Sequence, residues 1–322
     1  MQPKVKRFNC NKMKNSFSIA FAAVVVSAIM FSCKQEVSGS GDSTPVETMT
    51  SGNLTLYVDT TAQPIIEDGL AVFHSIYPKA RIKQVNRAES EVVNALIKDS
   101  ANVAVLARPL TTQEEAHFTK QGITPRVTFF ATDALALITN KKSTDTVVNL
   151  QEVYKVLQGK PSATVKKLIF DNSNSGTVQL LLKQAGVTKI ATTDVYSLKD
   201  TEAVLKYVQE NPGSIGIIGV NWLVQPPLEW EKYVENVRVL GVDNVKIDKS
   251  SKKYYKPSQS NIAAGLYPIT RKLYVLNYQG KNGLGIGFET YLTAESGQRL
   301  ILKSGLVPAT MPTREIEVRS EL

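Results

Sequence analysis

Residues 127–139 read Val-Thr-Phe-Phe-Ala-Thr-Asp-Ala-Leu-Ala-Leu-Ile-Thr, an apolar, β-rich run too long for one ordinary strand. A strand of that length is expected to cross from one sheet to another. Tyr267 to Asn277 (YPITRKLYVLN) is a second run of crossing length. Two crossings imply two lobes, hinged near 131–139 and 267–277. The first lobe is then built from 53–133 and 270–322, and the second from 134–269.

Short β-rich runs alternate with helical ones on either side. Leu54–Val58 reads as a strand, and Pro64–Tyr77 as a helix with apolar residues at Ile65, Ile66, Leu70, Val72, Phe73 and Ile76. A strand at Arg81–Val85 precedes a helix at Glu89–Lys98, which Ser90 opens. Val103–Leu106 is a short continuous apolar run, as in a buried parallel strand. The second series has helices at Leu150–Gln158, Val178–Gln184 and Thr201–Gln209 and strands at Lys167–Phe170 and Ser214–Ile218. One amphipathic helix is expected from Gly285 to Lys303. The alternation predicts an α/β fold in which each lobe is a doubly wound sheet flanked by helices.

The first residues read as export machinery. Lys4, Lys6, Arg7, Lys12 and Lys14 precede an uncharged run from Ser16 to Phe31, which ends at Ser32-Cys33. That order is a signal peptide over 1–32 rather than a membrane span. A cysteine directly after the small residue points to lipid attachment at Cys33, although Met30-Phe31-Ser32 departs from the usual leucine-small-small triplet. Residues 33–52 are rich in Ser, Thr and Gly and read as a flexible tether. The expected product is a chain outside the cytoplasm, held to a membrane by its lipid.

Charge and composition exclude several functions. The five leader cations carry more than half of the net charge of +9, leaving +4 on the mature chain. Its cations are scattered, and the densest cluster, Lys249–Lys256, reads as a solvated loop, so no nucleic-acid surface is expected. Cys10 leaves with the leader, so the mature chain has no disulfide, thiol nucleophile or cysteine metal site. His74 and His117 sit in helical stretches and read as ordinary residues. No cofactor and no catalytic group is expected.

The sharpest site signal is Asp171-Asn-Ser-Asn-Ser-Gly-Thr177, between a strand and a helix. Ser175 and Thr177 bring hydroxyls, and Gly176 permits close approach to a helix N-terminus, where unpaired N–H groups favour an anion. An ordinary capped turn has the same composition. Asp59-Thr60-Thr61 and Ala88-Glu89-Ser90 are two further strand-to-helix loops with hydroxyls. Three such loops are what an anion clamp at the carboxyl ends of parallel strands requires.

Taken in order, these segments resemble the periplasmic phosphate-binding proteins of Pst-type ABC transporters. The resemblance runs through DTTAQPI, ANVAVLARPLTTQE, NLQEVYKVLQGK, SNSGTVQLLL, NPGSIGIIG, YPITRKLYVL and FETYLTAESGQRLILKSGLVPA. It implies a two-lobed periplasmic binding protein fold and a ligand set of Thr60, Thr61, Ser90, Ser175, Gly176 and Thr177. It also implies phosphate or a related small anion as ligand, an ABC permease as partner, and a monomer. The chain departs from the family at two places, with Asp171 where the family has an arginine and Arg108 where it has an aspartate. Arg108 is then the expected cationic fork, and Asp171 its orienter or the acceptor of a ligand proton. A structural Arg108–Asp171 ion pair is the alternative. Arg87 is a second candidate cation. Transport is the leading function, a non-transport anion sensor or scavenger the alternative, and a hydrolase would need an activated Ser175 or Thr177.

Overall fold

A computed structural model describes residues 47–244 and 253–313. The expected signal peptide, Cys33, most of the tether and part of the Lys249–Lys256 cluster lie outside the described residues. Of the expected tether, residues 47–52 are described. The Glu47 carboxylate accepts from Leu284 N at 2.9 Å and pairs with Lys281 at 2.7 Å, and Gly52 opens the first strand. Among the described residues no helix is long and apolar enough to cross a membrane.

The strands in chain order are β1 (Gly52–Asp59), β2 (Ala80–Arg87), β3 (Val103–Leu106) and β4 (Arg126–Asn140), then β5 (Val147–Val148), β6 (Lys167–Phe170), β7 (Val195–Ser197) and β8 (Ser214–Gly219). They end with β9 (Val237–Val239), β10 (Gly241–Asp243), β11 (Tyr254–Tyr255), β12 (Thr270–Asn277) and β13 (Val307–Pro308). Eight of them run side by side in the order β2-β1-β3-β12-β4-β8-β6-β7, with β9 and β13 also paired to β4; β11-β10-β5 form a small separate sheet. The flanking trios β2-β1-β3 and β7-β6-β8 are parallel, and β12 and β4 run antiparallel to their neighbours. Parallel pairing needs long crossovers, and helices such as Gln63–Ile76 and Gly176–Ala185 supply them.

β4 is the 15-residue crossing strand that its sequence predicts. Its first half pairs with β12 and its second half with β8 and β9. The other crossing is made by Tyr267–Ile269 just ahead of β12. Leu135 N donates to Ile269 O at 2.9 Å, and the Tyr267 hydroxyl donates to Leu135 O at 2.6 Å. Buried residues divide at these crossings. One apolar cluster spans Ala134 to Ile269. The other two draw on Leu54–Ala131 and Leu273–Leu306 and cover the two faces of the β1-β3-β12 sheet. Strand β3 shows why: Val103 and Val105 belong to one cluster, Ala104 and Leu106 to the other, the period of two of a strand buried on both faces.

The expected helix over Gly285–Lys303 is two helices, Leu284–Thr293 and Glu295–Lys303. Ala294 between them is extended (φ −73°, ψ 165°). The second helix folds back so closely that a side chain at Gly297 would strike the Tyr291 and Leu292 backbone. Periodicity carries through such a break because both halves bury apolar residues in the same lobe.

Candidate functional site

The carboxyl ends of β1 and β6, the start of the helix after β2, the middle of β4 and the start of β12 meet between the two core groups. Each brings a charged or hydroxyl group that water hardly reaches. Asp59, the last residue of β1, is fully buried. It caps the turn Thr60–Ala62: Oδ2 accepts from Thr61 Oγ1 at 2.7 Å and Oδ1 from Thr61 N at 3.4 Å. Glu89 opens the helix Glu89–Ile97 and is also buried, accepting from Arg108 Nε at 2.7 Å.

Both acids reach the second lobe. A Cβ on Gly176 would lie 2.5 Å from Asp59 Oδ2 and 2.9 Å from Glu89 Oε2. Glycine here is a close-approach residue, letting two carboxylates sit at a helix N-terminus, whose partial positive charge favours them. Asn221 Nδ2 adds a bond across the same seam, to Thr61 O at 3.3 Å. Asp171 ends the loop side of the cluster. Its Oδ1 accepts from Ser175 Oγ at 2.6 Å, and the same hydroxyl accepts from Val178 N at 3.4 Å as the N-cap of the helix Gly176–Ala185.

Behind these groups lies an ion pair in the crossing strands. Asp133 and Arg271 are register partners on β4 and β12. Arg271 Nε and Nη2 both donate to Asp133 Oδ2, at 2.9 and 2.7 Å, with side chains 1% and 0% exposed. Among the described residues, Asp133 Oδ1, Arg271 Nη1 and the buried Thr177 Oγ1 have no hydrogen-bond partner. Unspent donors and acceptors of this kind, held out of water, are costly unless something binds them.

The enclosure moves the acids' protonation. Burial pushes Asp59 up to about 6; Glu89 adds to the rise, and Arg271 and the Thr61 bonds oppose it. Asp171 goes up to about 7, chiefly by burial and further by Asp59, against its Ser175 bond and Arg271. Burial likewise raises Asp133 despite Arg271.

Two cavities open beside this seam, and they share no lining residue. One, of about 490 Å³, is walled by Glu89, Arg108, Gly176, Lys183 and Arg271 among others. The second, of about 480 Å³, is walled by Thr60, Glu67, Asp171, Lys199, Trp222 and Trp230 among others. Among the described residues no group of three or more His, Cys, Asp or Glu is arranged to hold a metal ion.

The residues expected from sequence are thus partly assembled. Gly176 and Arg108 line the first cavity, Thr60 and Asp171 the second, and Ser175, Gly176 and Thr177 form the buried helix start. Thr61 is turned to Asp59. Ser90 is exposed in the first helical turn, and its neighbour Glu89 is the residue that faces the site. Arg108 does not pair with Asp171. Its Nε goes to Glu89, and Nη1 and Nη2 go to Glu114 at 2.8 and 3.0 Å. Glu114 is fixed by its own capping box with Thr111. Arg87 is exposed and sits 3.9 Å from Glu91. Sequence reading missed Asp59, Glu89, Asp133 and Arg271 as site residues. The last two left a signal: a lone acid in one largely apolar crossing run, and an arginine beside Lys272 in the other.

A protein-family model described as a PBP superfamily domain matches residues 43–296. No match was found among curated protein sequences. Among solved structures, similar ones include a chain from Clostridium perfringens described as a phosphate ABC transporter substrate-binding protein with bound phosphate. It has a TM-score of 0.64 and 16% identity, over 80% of this chain and 100% of that one. An ABC-type phosphate transport receptor from Vibrio cholerae has a TM-score of 0.60 and 17% identity over the same shares. The regulatory domain of Synechocystis CcmR in complex with 2-PG has a TM-score of 0.51 and 18% identity, over 82% of this chain and 100% of that one. At these identities the likeness is one of fold.

Proposed function

The chain belongs to the PBP superfamily, and from that premise we propose that it captures a small oxyanion, phosphate or a close relative, between its lobes. One observation carries the reading: the buried Arg271 guanidinium, whose Nη1 has no partner among the described residues, lines a cavity that the N-terminus of the Gly176–Ala185 helix also lines. Arg108 and Lys183 add two cations to the same wall. A guanidinium and a helix start are suited to an oxyanion. Glu89 in that wall supplies an acceptor, so the preferred anion is one that still holds a proton to donate.

On this reading the protein binds without catalysis and acts outside the cytoplasm, anchored by a lipid on Cys33. It works as a monomer, and its two lobes hinge at Asp133–Ala134 and Tyr267–Thr270. It delivers the anion to an ABC permease.

The test is a thermal-shift panel with phosphate, sulfate, arsenate, molybdate and small carboxylates, followed by calorimetry. A ligand at about 100 times its dissociation constant should stabilise the fold by about 2.7 kcal/mol. Phosphate should bind more tightly than sulfate, and Arg108→Ala should weaken both. No shift with any oxyanion would overturn the proposal.

A further inference from the structure

The second cavity has a chemistry of its own. Thr60, Gln63 and Glu67 enter it from the first lobe, and Asp171, Trp222 and Trp230 from the second. The chain has only two tryptophans, and both are here. Their rings stack at 4.8 Å with an interplanar angle of 28°. Glu67, Asp171, Asp200 and Glu229 supply four carboxylates against the single cation Lys199, whose amine is 3.2 Å from Asp200. Asp171 is 6% exposed, and its Oδ1 is taken by Ser175.

Such a wall repels anions, and inorganic oxyanions would leave most of its volume empty. Sites for small organic molecules run from about 300 to 1,000 Å³ and combine aromatic surface with a few convergent polar groups. Cations are drawn to the face of tryptophan, most strongly where water is excluded. We propose that this cavity binds a compact organic cation, an ammonium or quaternary ammonium solute. Its charge would lie against Asp171 and Glu67, and its carbon groups against the Trp222–Trp230 pair. The site is separate from the oxyanion cavity, and its occupancy does not depend on the oxyanion reading.

Because both tryptophans line the cavity, their emission reports on it directly. The protein is titrated with choline and with 3,3-dimethylbutan-1-ol, the uncharged molecule of the same shape, at constant ionic strength, and each titration is repeated by calorimetry. Choline should give a saturable change and bind at least about tenfold more tightly than the alcohol. Asp171→Asn should weaken choline by about tenfold or more, and Glu67→Gln, an exposed helix position that leaves folding intact, should weaken it to a smaller extent. Absence of saturation by both methods would overturn the proposal. Equal affinity for the alcohol would make the cavity an apolar or hydroxyl site, and choline binding unchanged in both variants would place the cation elsewhere.

Discussion

Arg271 and Asp133 show how one buried pair serves both stability and the site. Two of the three guanidinium nitrogens are spent on one carboxylate oxygen, and Nη1 and the second oxygen have no partner among the described residues. Removing one member strands the other in a dry seam, which typically costs about 3–5 kcal/mol. Arg271→Met should therefore lower stability by that order in urea denaturation, and adding Asp133→Leu should restore a large part of it. If the double variant is no more stable than the single, the pair is not the source of the cost. Asp59 makes a second residue-scale prediction. Its folded-state value is about 6 against an ordinary 3.8, so between those values the folded chain holds a proton that the unfolded chain has lost. Raising the pH through that window costs stability, at up to about 1.4 kcal/mol per pH unit. Asp59→Asn cannot ionise, so its stability relative to the parent should climb as the pH rises from about 4 to about 6. Parallel stability curves would show that Asp59 titrates normally.

At the scale of elements, the helix Gly176–Ala185 depends on Ser175, whose hydroxyl caps Val178 N and holds Asp171 Oδ1. Ser175→Ala should cost about 1–2 kcal/mol and drive Asp171 further up, readable as a shift in its carboxyl titration by NMR. The elements were largely legible in the sequence. Strands β3 and β6 match their expected ends, and β4 declares itself by length, because side-chain alternation and burial act locally. The break at Ala294 was not legible, since it is imposed by one helix packing back on another at Gly297. The site was legible only where a local motif existed, as at Ser175-Gly176-Thr177. Arg108 looked free to meet Asp171 because nothing in the chain announces that Glu89 and Glu114 claim it first. Arg271 and Asp133 lie 138 residues apart, and only the pairing of β4 with β12 makes them neighbours.

Across the whole molecule, the lobes touch where two carboxylates from one meet a glycine of the other. Gly176→Ala would put a methyl group 2.5 Å from Asp59 Oδ2, too close for either to stay. The lobes should separate, with a larger radius of gyration in small-angle X-ray scattering and little change in secondary structure by circular dichroism. An unchanged radius would mean that the two carboxylates swing aside and do not set closure. The path of β12 bears on how the chain is made. It lies between β3 and β4 in the first lobe's sheet, yet it is encoded after the whole stretch that builds the second lobe's core. During synthesis or export, residues 134–269 can gather their core as a contiguous piece, while β3 and β4 wait with open edges for the strand that joins them. Folding should thus proceed out of written order, second lobe before first. A chain stopped at residue 269 should leave residues 53–133 unprotected from proteolysis while the inserted lobe resists it.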